Sequence, residues 1–188
     1  MDVAGLVRLL RHGVQLKQTE RSGWARRGVP RPESVAEHTF GVAFIALALA
    51  GQIEEPLDLG RLLALALLHD LPEALTGDIP RPVWRYLPAG SKAEAERAAL
   101  AAMLDGEAGA GWLALWQELQ AAESAEARLV KDADRLDLLL QASIYAQQSG
   151  NRRLEEFWGR REPFYYPAAA AVAQALAASR PPAEAADA

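Results

Sequence analysis

The sequence contains no cysteine. Disulfide bonds, thiolate metal ligands and cysteine nucleophiles are therefore all excluded. A long apolar run is also absent: the longest, residues 42–50, is far shorter than the roughly 20 residues that cross a bilayer. The first residues place arginines inside their apolar pattern and do not have the layout of a signal peptide. We therefore expect no membrane span and a cytoplasmic location.

Basic residues are the minority charge in this chain. Lys and Arg number 20 against 25 Asp and Glu, which gives a formal net charge of −5. No run of Lys and Arg resembles the footprint of a protein on a phosphate backbone, which argues against binding to polymeric nucleic acid. A small anionic substrate stays compatible with this charge, because local charges and metal ions govern a pocket more than the net charge does.

Tyrosine and phenylalanine are scarce, with four of each, whereas alanine and leucine dominate a hydrophobic content of 51%. Strands draw on aromatic and β-branched residues, so this balance predicts an all-α fold. The length of 188 residues suits one domain, expected over residues 1–179, followed by a flexible Pro- and Ala-rich tail at 180–188. Hydrophobic periodicity predicts helices over residues 2–18, 34–52, 59–70, 91–104, 112–122, 125–149, 152–158 and 167–179.

Local signals mark where several of these helices begin and end. Capping residues indicate three starts: Ser34 with Glu37, Asp58, and Ser91 with Glu94. Pro72 has no N–H to offer the carbonyl of Leu68, which predicts a kink or a restart of the helix there. Gly77 is expected to end the short segment that follows.

Three histidines, His12, His38 and His69, occur in the whole chain. His12 lies beside Arg11 in the first helix and is interpreted as a surface or partly buried side chain. His38 comes one turn into the second helix, in EHTF, where taken alone it is more typical of a core histidine than of a ligand. His69 differs from both because Asp70 follows it directly, at the end of an apolar helix.

The stretch LLHDLPEALTGD, residues 67–78, concentrates acids where an apolar helix ends. Adjacent helix positions diverge by roughly 100°, so His69 and Asp70 reach one metal ion only at a helix edge or where the backbone is distorted. Glu73 lies on the same helical side, and Asp78 follows in a loop that can turn back. The ordinary alternative is a helix end with solvated acids, although acids favour the opposite helix terminus.

A further motif, VKDADRLD, lies in the long helix predicted at 125–149. Asp134 and Asp137 fall on one stripe with apolar neighbours, and an unpaired buried carboxylate is costly unless a cation compensates it. Lys131 and Arg135 offer ion pairs as an equally good explanation. Taken with the motifs above, the residue types predict one metal site of two imidazoles and two carboxylates, His38, His69, Asp70 and Asp134. Such donors suit Mn²⁺, Fe²⁺, Co²⁺ or Zn²⁺.

EHTF, LLHDLPEALTGD and VKDADRLD, in this order and spacing, resemble the HD-domain phosphohydrolases, and more narrowly their 5′-deoxynucleotidase branch. The resemblance covers residues 6–150, and the combination of motifs is far more specific than the HD dipeptide alone. It implies a single HD-domain helical bundle, a divalent metal (Mn, Co, Fe, Mg or Zn), release of phosphate from nucleoside 5′-monophosphates, and a homodimer. A role in nucleotide metabolism follows from that activity.

The resemblance also assigns roles to residues. His38, His69, Asp70 and Asp134 correspond to the metal ligands. Glu73 corresponds to the general acid/base, and Asp78 to a residue that assists catalysis or holds a second cation.

The substrate pocket is expected from Asp78 through Ile79 and Pro80 to Arg81. Arg21 corresponds to the arginine that orients the phosphate, and Trp24 to the tryptophan beside the sugar. Here Ser22 and Gly23 separate the two, whereas some bacterial deoxynucleotidases have them adjacent. This departure leaves open whether deoxyribose is strictly preferred.

Two other functions fit the same residues. One is an HD phosphohydrolase for a different small phosphoester, since a fold does not fix a substrate. The other is a nucleotide-binding regulatory module that keeps the metal and hydrolyses weakly. The presence of both Glu73 and Asp78 disfavours this module, because a pure binding protein has little need of a proton-transfer pair.

Overall fold

The computed structural model describes residues 2–104, 106–159 and 162–180, and within them the fold is all-α, as predicted. One isolated antiparallel bridge pairs Glu20 with Ser34. Residues 181–188 of the predicted tail lie outside the described residues. The helices are α1 Val3–Gln15, α2 Ser22–Ala25, α3 Val35–Ala50, α4 Leu59–Leu68, α5 Glu73–Thr76, α6 Arg81–Trp84, α7 Ser91–Met103, α8 Gly106–Ala121, α9 Ala125–Ser149, a 3₁₀ helix Arg152–Gly159, and α10 Pro167–Ala178.

Helices α3, α4 and α9 pack against one another at the centre of the fold. Each contributes fully buried aliphatic side chains to one core cluster, for example Val42, Leu65 and Leu136. Burying such side chains stabilises the fold by roughly 1.5–3 kcal/mol each. This packing fixes three helix segments beside one another: the first turn of α3, the end of α4 and the middle of α9. The predicted histidines and aspartates lie on these segments.

The helix that ends in His69 stops where Pro72 predicts. Helix α4 ends at Leu68 and α5 begins at Glu73, because Pro72 cannot donate to the carbonyl of Leu68. The carbonyls freed by this break find other donors: the N–H of Leu71 binds the carbonyl of Leu68, and Trp116 Nε1 donates to the carbonyl of His69 at 3.3 Å. The distorted segment lets His69 and Asp70 approach the same point.

Two of the three predicted helix caps are present. Ser34 and Glu37 form the full capping box of α3, and the Asp58 side chain accepts from the N–H of Arg61. The capping box predicted at Ser91 with Glu94 is wrong. Ser91 is already the first residue of α7, and Gly90 precedes it in the left-handed region at φ 81° with no side-chain cap. The serine therefore lies one position too late to cap the helix.

Helix α1 forms as predicted, but the stripe that predicts it does not enter the core. The buried residues of α1 are Gly5 and Leu9. The apolar residues at helical spacing are exposed: Val3, Leu6, Val7, Leu10 and Val14. Among the described residues, no helix combines the length and the apolar character that a membrane span requires.

Candidate metal centre and substrate pocket

The two histidines of the predicted set face each other in the protein interior. His38 lies in the first turn of α3 and His69 directly follows α4, and their Nε2 atoms are 3.2 Å apart. His69 Nδ1 is 2.6 Å from the carbonyl oxygen of Ala66, so this nitrogen carries the proton and donates. His38 Nδ1 is 2.7 Å from Asp137 Oδ2 and donates likewise. Both rings therefore place Nε2, the nitrogen left for a metal ion, towards one point.

Two carboxylates meet the histidines at the same point. Asp70 Oδ2 is 3.2 Å from His69 Nε2 and 3.7 Å from His38 Nε2, and Asp134 Oδ1 is 3.2 Å from His38 Nε2. Ligand atoms around a cation with bonds of about 2.1 Å are expected to lie roughly 3.0–3.7 Å apart. Four electron-rich atoms at these separations repel one another unless a cation or protons lie between them. The donor set thus fits a divalent metal ion.

The electrostatics of this cluster favour a cation strongly. Burial raises the pKa of the Asp70 carboxyl, but the charges of His69, Arg21 and His38 outweigh it and hold this pKa well below its usual range. Burial likewise raises the pKa of Asp134, and His38 and its neighbours outweigh it, so this pKa is low as well. Both aspartates are therefore ionised at neutral pH and ready to bind a metal ion.

His38 holds a proton in the absence of a metal ion. Burial and the charge of Arg21 lower its pKa, but hydrogen bonds to Asp134 and Asp137 outweigh them and raise the pKa to about 9. A cation bound between the four donors replaces this proton, because a histidine binds metal only through a free lone pair.

Asp137 contacts the donor set, and the sequence placed it on the same stripe as Asp134 without assigning it a role. Its carboxylate orients His38 through Nδ1, an arrangement that fixes the ring and makes it a better metal ligand. Gly41, one turn after His38, makes the arrangement possible: a Cβ at this position would overlap the Asp137 carboxylate. The only signal in the sequence was the spacing of Asp134 and Asp137 along α9.

We expect Gly41→Ala to weaken metal binding. The added methyl displaces Asp137, His38 loses its orienting partner, and metal affinity falls by about 10–100-fold. Calorimetric titration of chelator-treated protein with Mn²⁺ measures this loss. Gly13→Ala is the matched control, because a Cβ at Gly13 meets nothing within 4 Å. Unchanged affinity in Gly41→Ala would show that Asp137 does not support the centre.

Glu73 is a buried carboxylate beside the four donors. Its side chain is 3% exposed, and among the described residues its Oε2 has no hydrogen-bond partner. Lys92 Nζ lies 3.9 Å from the other oxygen. Burial, together with the charges of Asp70 and Asp78, raises the pKa of Glu73 to about 10. A carboxyl with a raised pKa in a cavity is suited to carry a proton.

This pKa makes the stability of the metal-free protein depend on pH. The folded-state pKa of Glu73 lies above its ordinary value of 4.5, so the free energy of unfolding decreases as the pH rises from that value towards about 10. We expect Glu73→Gln to remove this dependence and to raise the Tm of metal-free protein more at pH 8.5 than at pH 5. Thermal unfolding of both proteins at the two pH values measures it, and equal Tm differences would contradict the assignment.

A cavity of about 580 Å³ opens above the centre. All six residues predicted to bind substrate line it, together with Glu73, Asp70 and Asp134. The six are Arg21, Trp24, Asp78, Ile79, Pro80 and Arg81. The volume lies within the range of small-molecule sites.

The loop before α2 holds the first of these residues against the centre. Arg21 Nη1 is 3.1 Å from Asp70 Oδ2. Asp78 Oδ2 accepts hydrogen bonds from the backbone N–H and the hydroxyl of Ser22, at 2.7 and 3.1 Å. The loop after α5 is thereby tied to the residue next to Arg21.

Trp24 forms part of the pocket wall and is only 1% exposed. Its Nε1 donates to Glu33 at 2.8 Å, and its ring packs against Phe157 and Tyr145 with centroids 4.4 and 5.4 Å apart. None of these three contacts was predicted from the sequence. They hold the indole in place in the pocket wall.

Lys92 is a further pocket residue that sequence reasoning missed. It lies on α7, lines the cavity, pairs with the buried Glu96, and places its ammonium 5.1 Å from the centre of the Trp84 ring. Lys92 and Glu96 have the i, i+4 spacing of an ordinary ion pair on a helix surface, and this spacing does not by itself indicate a pocket residue. Only the fold brings that pair beside Glu73.

Comparison with known proteins finds similarity over most of the chain. The family profile described as HD domain matches residues 14–172. The mouse 5′-deoxynucleotidase HDDC2 is 34% identical over 165 residues, which cover 86% of this chain and 77% of that protein. A conserved hypothetical protein from Pyrococcus furiosus has a similar structure, with TM-score 0.72, 39% identity, and coverage of 81% of this chain and 85% of that one. A predicted metal-dependent phosphohydrolase from Magnetospirillum magnetotacticum has TM-score 0.67 and 26% identity, covering 94% and 91% of the two chains.

Proposed function

We propose that this chain, which belongs to the 5′-deoxynucleotidase branch of the HD-domain family, releases phosphate from nucleoside 5′-monophosphates. It is an enzyme, a metal-dependent nucleotide phosphohydrolase. One observation carries the proposal: two imidazoles and two carboxylates converge at the floor of a cavity, beside a buried glutamate with a raised pKa. A purely structural helical protein has no need of such a cluster.

In this proposal His38, His69, Asp70 and Asp134 hold the metal ion. When bound, a divalent cation polarises the phosphoryl group and lowers the pKa of a water molecule at the site. Two imidazoles with two carboxylates suit Mn²⁺, Fe²⁺, Co²⁺ or Zn²⁺, and Mg²⁺ is a further candidate because two of the donors are carboxylates.

Glu73 and Arg21 then act on the water and the phosphate. Glu73, protonated because its pKa is raised, donates its proton to the 5′-oxygen as the bond between phosphorus and that oxygen breaks. The carboxylate that remains accepts a proton from the attacking water, whose oxygen forms the new bond to phosphorus. Arg21, already 3.1 Å from Asp70, is placed to donate to the phosphate oxygens through its planar guanidinium.

The remaining pocket residues bind and orient the nucleoside. Asp78 fixes Ser22 and with it the loop of Arg21, and it is available to assist catalysis or to hold a second cation. Trp24 lies beside the sugar as part of the pocket wall. Ile79, Pro80 and Arg81 line the side of the cavity where the base is expected.

Phosphate release from a panel of substrates tests the proposal. The panel contains every deoxy- and ribonucleoside 5′-monophosphate and p-nitrophenyl phosphate, each with Mn²⁺ or Co²⁺ and with a chelator as control. Chelator-sensitive turnover of the deoxy series supports the proposal, and equal turnover of the ribo series removes sugar selectivity. Turnover of p-nitrophenyl phosphate alone would replace it with a different phosphoester, and binding without turnover would indicate a regulatory module.

We also propose that the protein is cytoplasmic and that two copies of it associate through α1. Its exposed apolar side chains, Val3, Leu6, Val7, Leu10 and Val14, are between 42% and 78% accessible, and an apolar stripe of this kind suits a two-fold dimer in which it packs against the same stripe of a second copy. A second copy that covers this face accounts for an apolar stripe that the core does not use.

Breaking this face should separate the copies. We expect Val7→Glu with Leu10→Glu to give a single chain of 20.3 kDa in size-exclusion chromatography with light scattering, where the parent elutes as two chains. Gln52→Glu, an exposed change outside α1, leaves the parent mass unaltered. A parent protein that elutes as one chain would end the dimer proposal.

A further inference from the structure

A second cavity, of about 450 Å³, adjoins the substrate pocket and is lined by arginines. We call it the arginine cavity; its lining is Arg26, Arg27, Pro82, Arg152, Arg153 and Glu156. The first two arginines follow α2, and the other two begin the 3₁₀ helix. Asn151 joins the two segments, because its Nδ2 donates to the carbonyl of Arg27 at 2.7 Å. The arginines therefore come together through the fold, not through a basic run in the sequence.

The charges of the arginine cavity are unbalanced. Its one carboxylate, Glu156, already pairs with Arg27 at 2.8 Å, and Arg27 also donates to the carbonyl of Gly23 and stacks on Phe157. Arg26, Arg152 and Arg153 have no side-chain partner within the described part of the chain. Three unpaired guanidinium groups around one concavity favour an anion, and phosphate oxygens match their planar donor geometry.

The arginine cavity continues the substrate pocket. Arg27, Pro82 and Glu156 line both cavities, and none of these three is a donor of the metal centre. Arg21, Trp24 and Arg27 follow one another three residues apart, and backbone bonds from Trp24 to Arg21 and from Arg27 to Trp24 connect them. All three line the substrate pocket. This wall leads from the proposed phosphate end, past the proposed sugar position, to the arginine cavity.

We propose that the arginine cavity binds a second phosphoryl group, carried on the 3′-oxygen of the nucleotide. This inference rests on the proposed function, because it takes the 5′-phosphate to lie at Arg21. On a deoxynucleoside held in that orientation, the 3′-oxygen is the position that can carry a further phosphoryl group. The group comes either as a terminal phosphate, in a nucleoside 3′,5′-bisphosphate, or as a diester, in a 5′-phosphorylated dinucleotide.

Comparison of kcat/KM for deoxyadenosine 3′,5′-bisphosphate and for dAMP, with the metal-loaded full chain, tests the inference. We expect a preference of about tenfold for the bisphosphate in the parent. In the double variant Arg152→Gln, Arg153→Gln the ratio should fall to about one. Arg97→Gln is the control, since it removes an exposed arginine that lines neither cavity, and it should keep the parent ratio. The same measurement with a 5′-phosphorylated dinucleotide shows whether a phosphodiester on the 3′-oxygen is also preferred over dAMP.

The outcomes separate this inference from the proposed function. A ratio near one in the parent, or a preference that survives in the double variant, would overturn the arginine cavity as a phosphate site. If dAMP is not hydrolysed at all, the proposed function fails. Dissociation constants of the same two nucleotides, measured on chelator-treated protein by calorimetry, then decide the inference by the same ratio.

Discussion

Replacement of Asp70 by alanine is expected to abolish metal-dependent phosphate release while the helical fold persists. Asp70 Oδ2 lies within 3.7 Å of the Nε2 atoms of both histidines and accepts a hydrogen bond from Arg21. Its loss therefore removes one metal donor and the ion-pair partner of the Arg21 guanidinium. We expect a decrease of at least about a thousandfold in kcat/KM, which corresponds to about 4 kcal/mol of transition-state stabilisation. Phosphate release from dAMP, metal titration and circular dichroism together measure the effect.

A variant of a second buried aspartate is the control that distinguishes loss of metal binding from loss of the fold. Asp132 is buried on α9, two residues before Asp134, and accepts from the N–H groups of Tyr165 and Tyr166. Asp132→Asn should lower the Tm and leave metal binding unchanged. Asp70→Ala should lose metal binding while the helical fold persists. Full activity in Asp70→Ala would remove this residue from the metal centre.

Glu73→Gln should bind metal and nucleotide but turn over slowly. The amide keeps the size of the side chain and cannot carry the proton between water and the 5′-oxygen. General acid/base catalysis typically contributes about 10²–10⁴-fold, so kcat should fall by that factor while KM changes little. Steady-state kinetics with dAMP, alongside a binding titration, give the two quantities separately.

Glu96→Gln is the control for this change. Glu96 is also a buried carboxylate, and it pairs with Lys92 as Glu73 does, but it does not line the cavity. Its replacement should leave kcat within a few-fold of the parent. Parental turnover in Glu73→Gln would mean that another group moves the proton.

The sequence predicted those parts of the site that local chemistry determines. Pro72 breaks the helix whatever surrounds it, so the distortion beside His69 and Asp70 was predictable from a missing N–H. The capping box at Ser34 likewise depends on residues three apart and fixes where α3, and with it His38, begins. Motif order and spacing then pointed to the set that the fold brings together.

Features that depend on contacts between distant segments were not predictable. Gly41 and Asp137 are 96 positions apart, and only the packing of α3 on α9 shows that one makes room for the other. Lys92 lies four residues before Glu96, and only the packing of α7 places it beside Glu73. The stripe of α1 predicted a helix correctly, but periodicity reports an apolar face without saying what covers it.

The central claim is that the four donors hold a cation on which catalysis depends. Protein stripped by a chelator should release no phosphate from dAMP. Stepwise addition of Mn²⁺ should then restore release in proportion to the metal bound per chain, with both quantities measured in the same sample. Turnover by stripped protein that added metal does not change would contradict the claim, even if the nucleotide were a substrate.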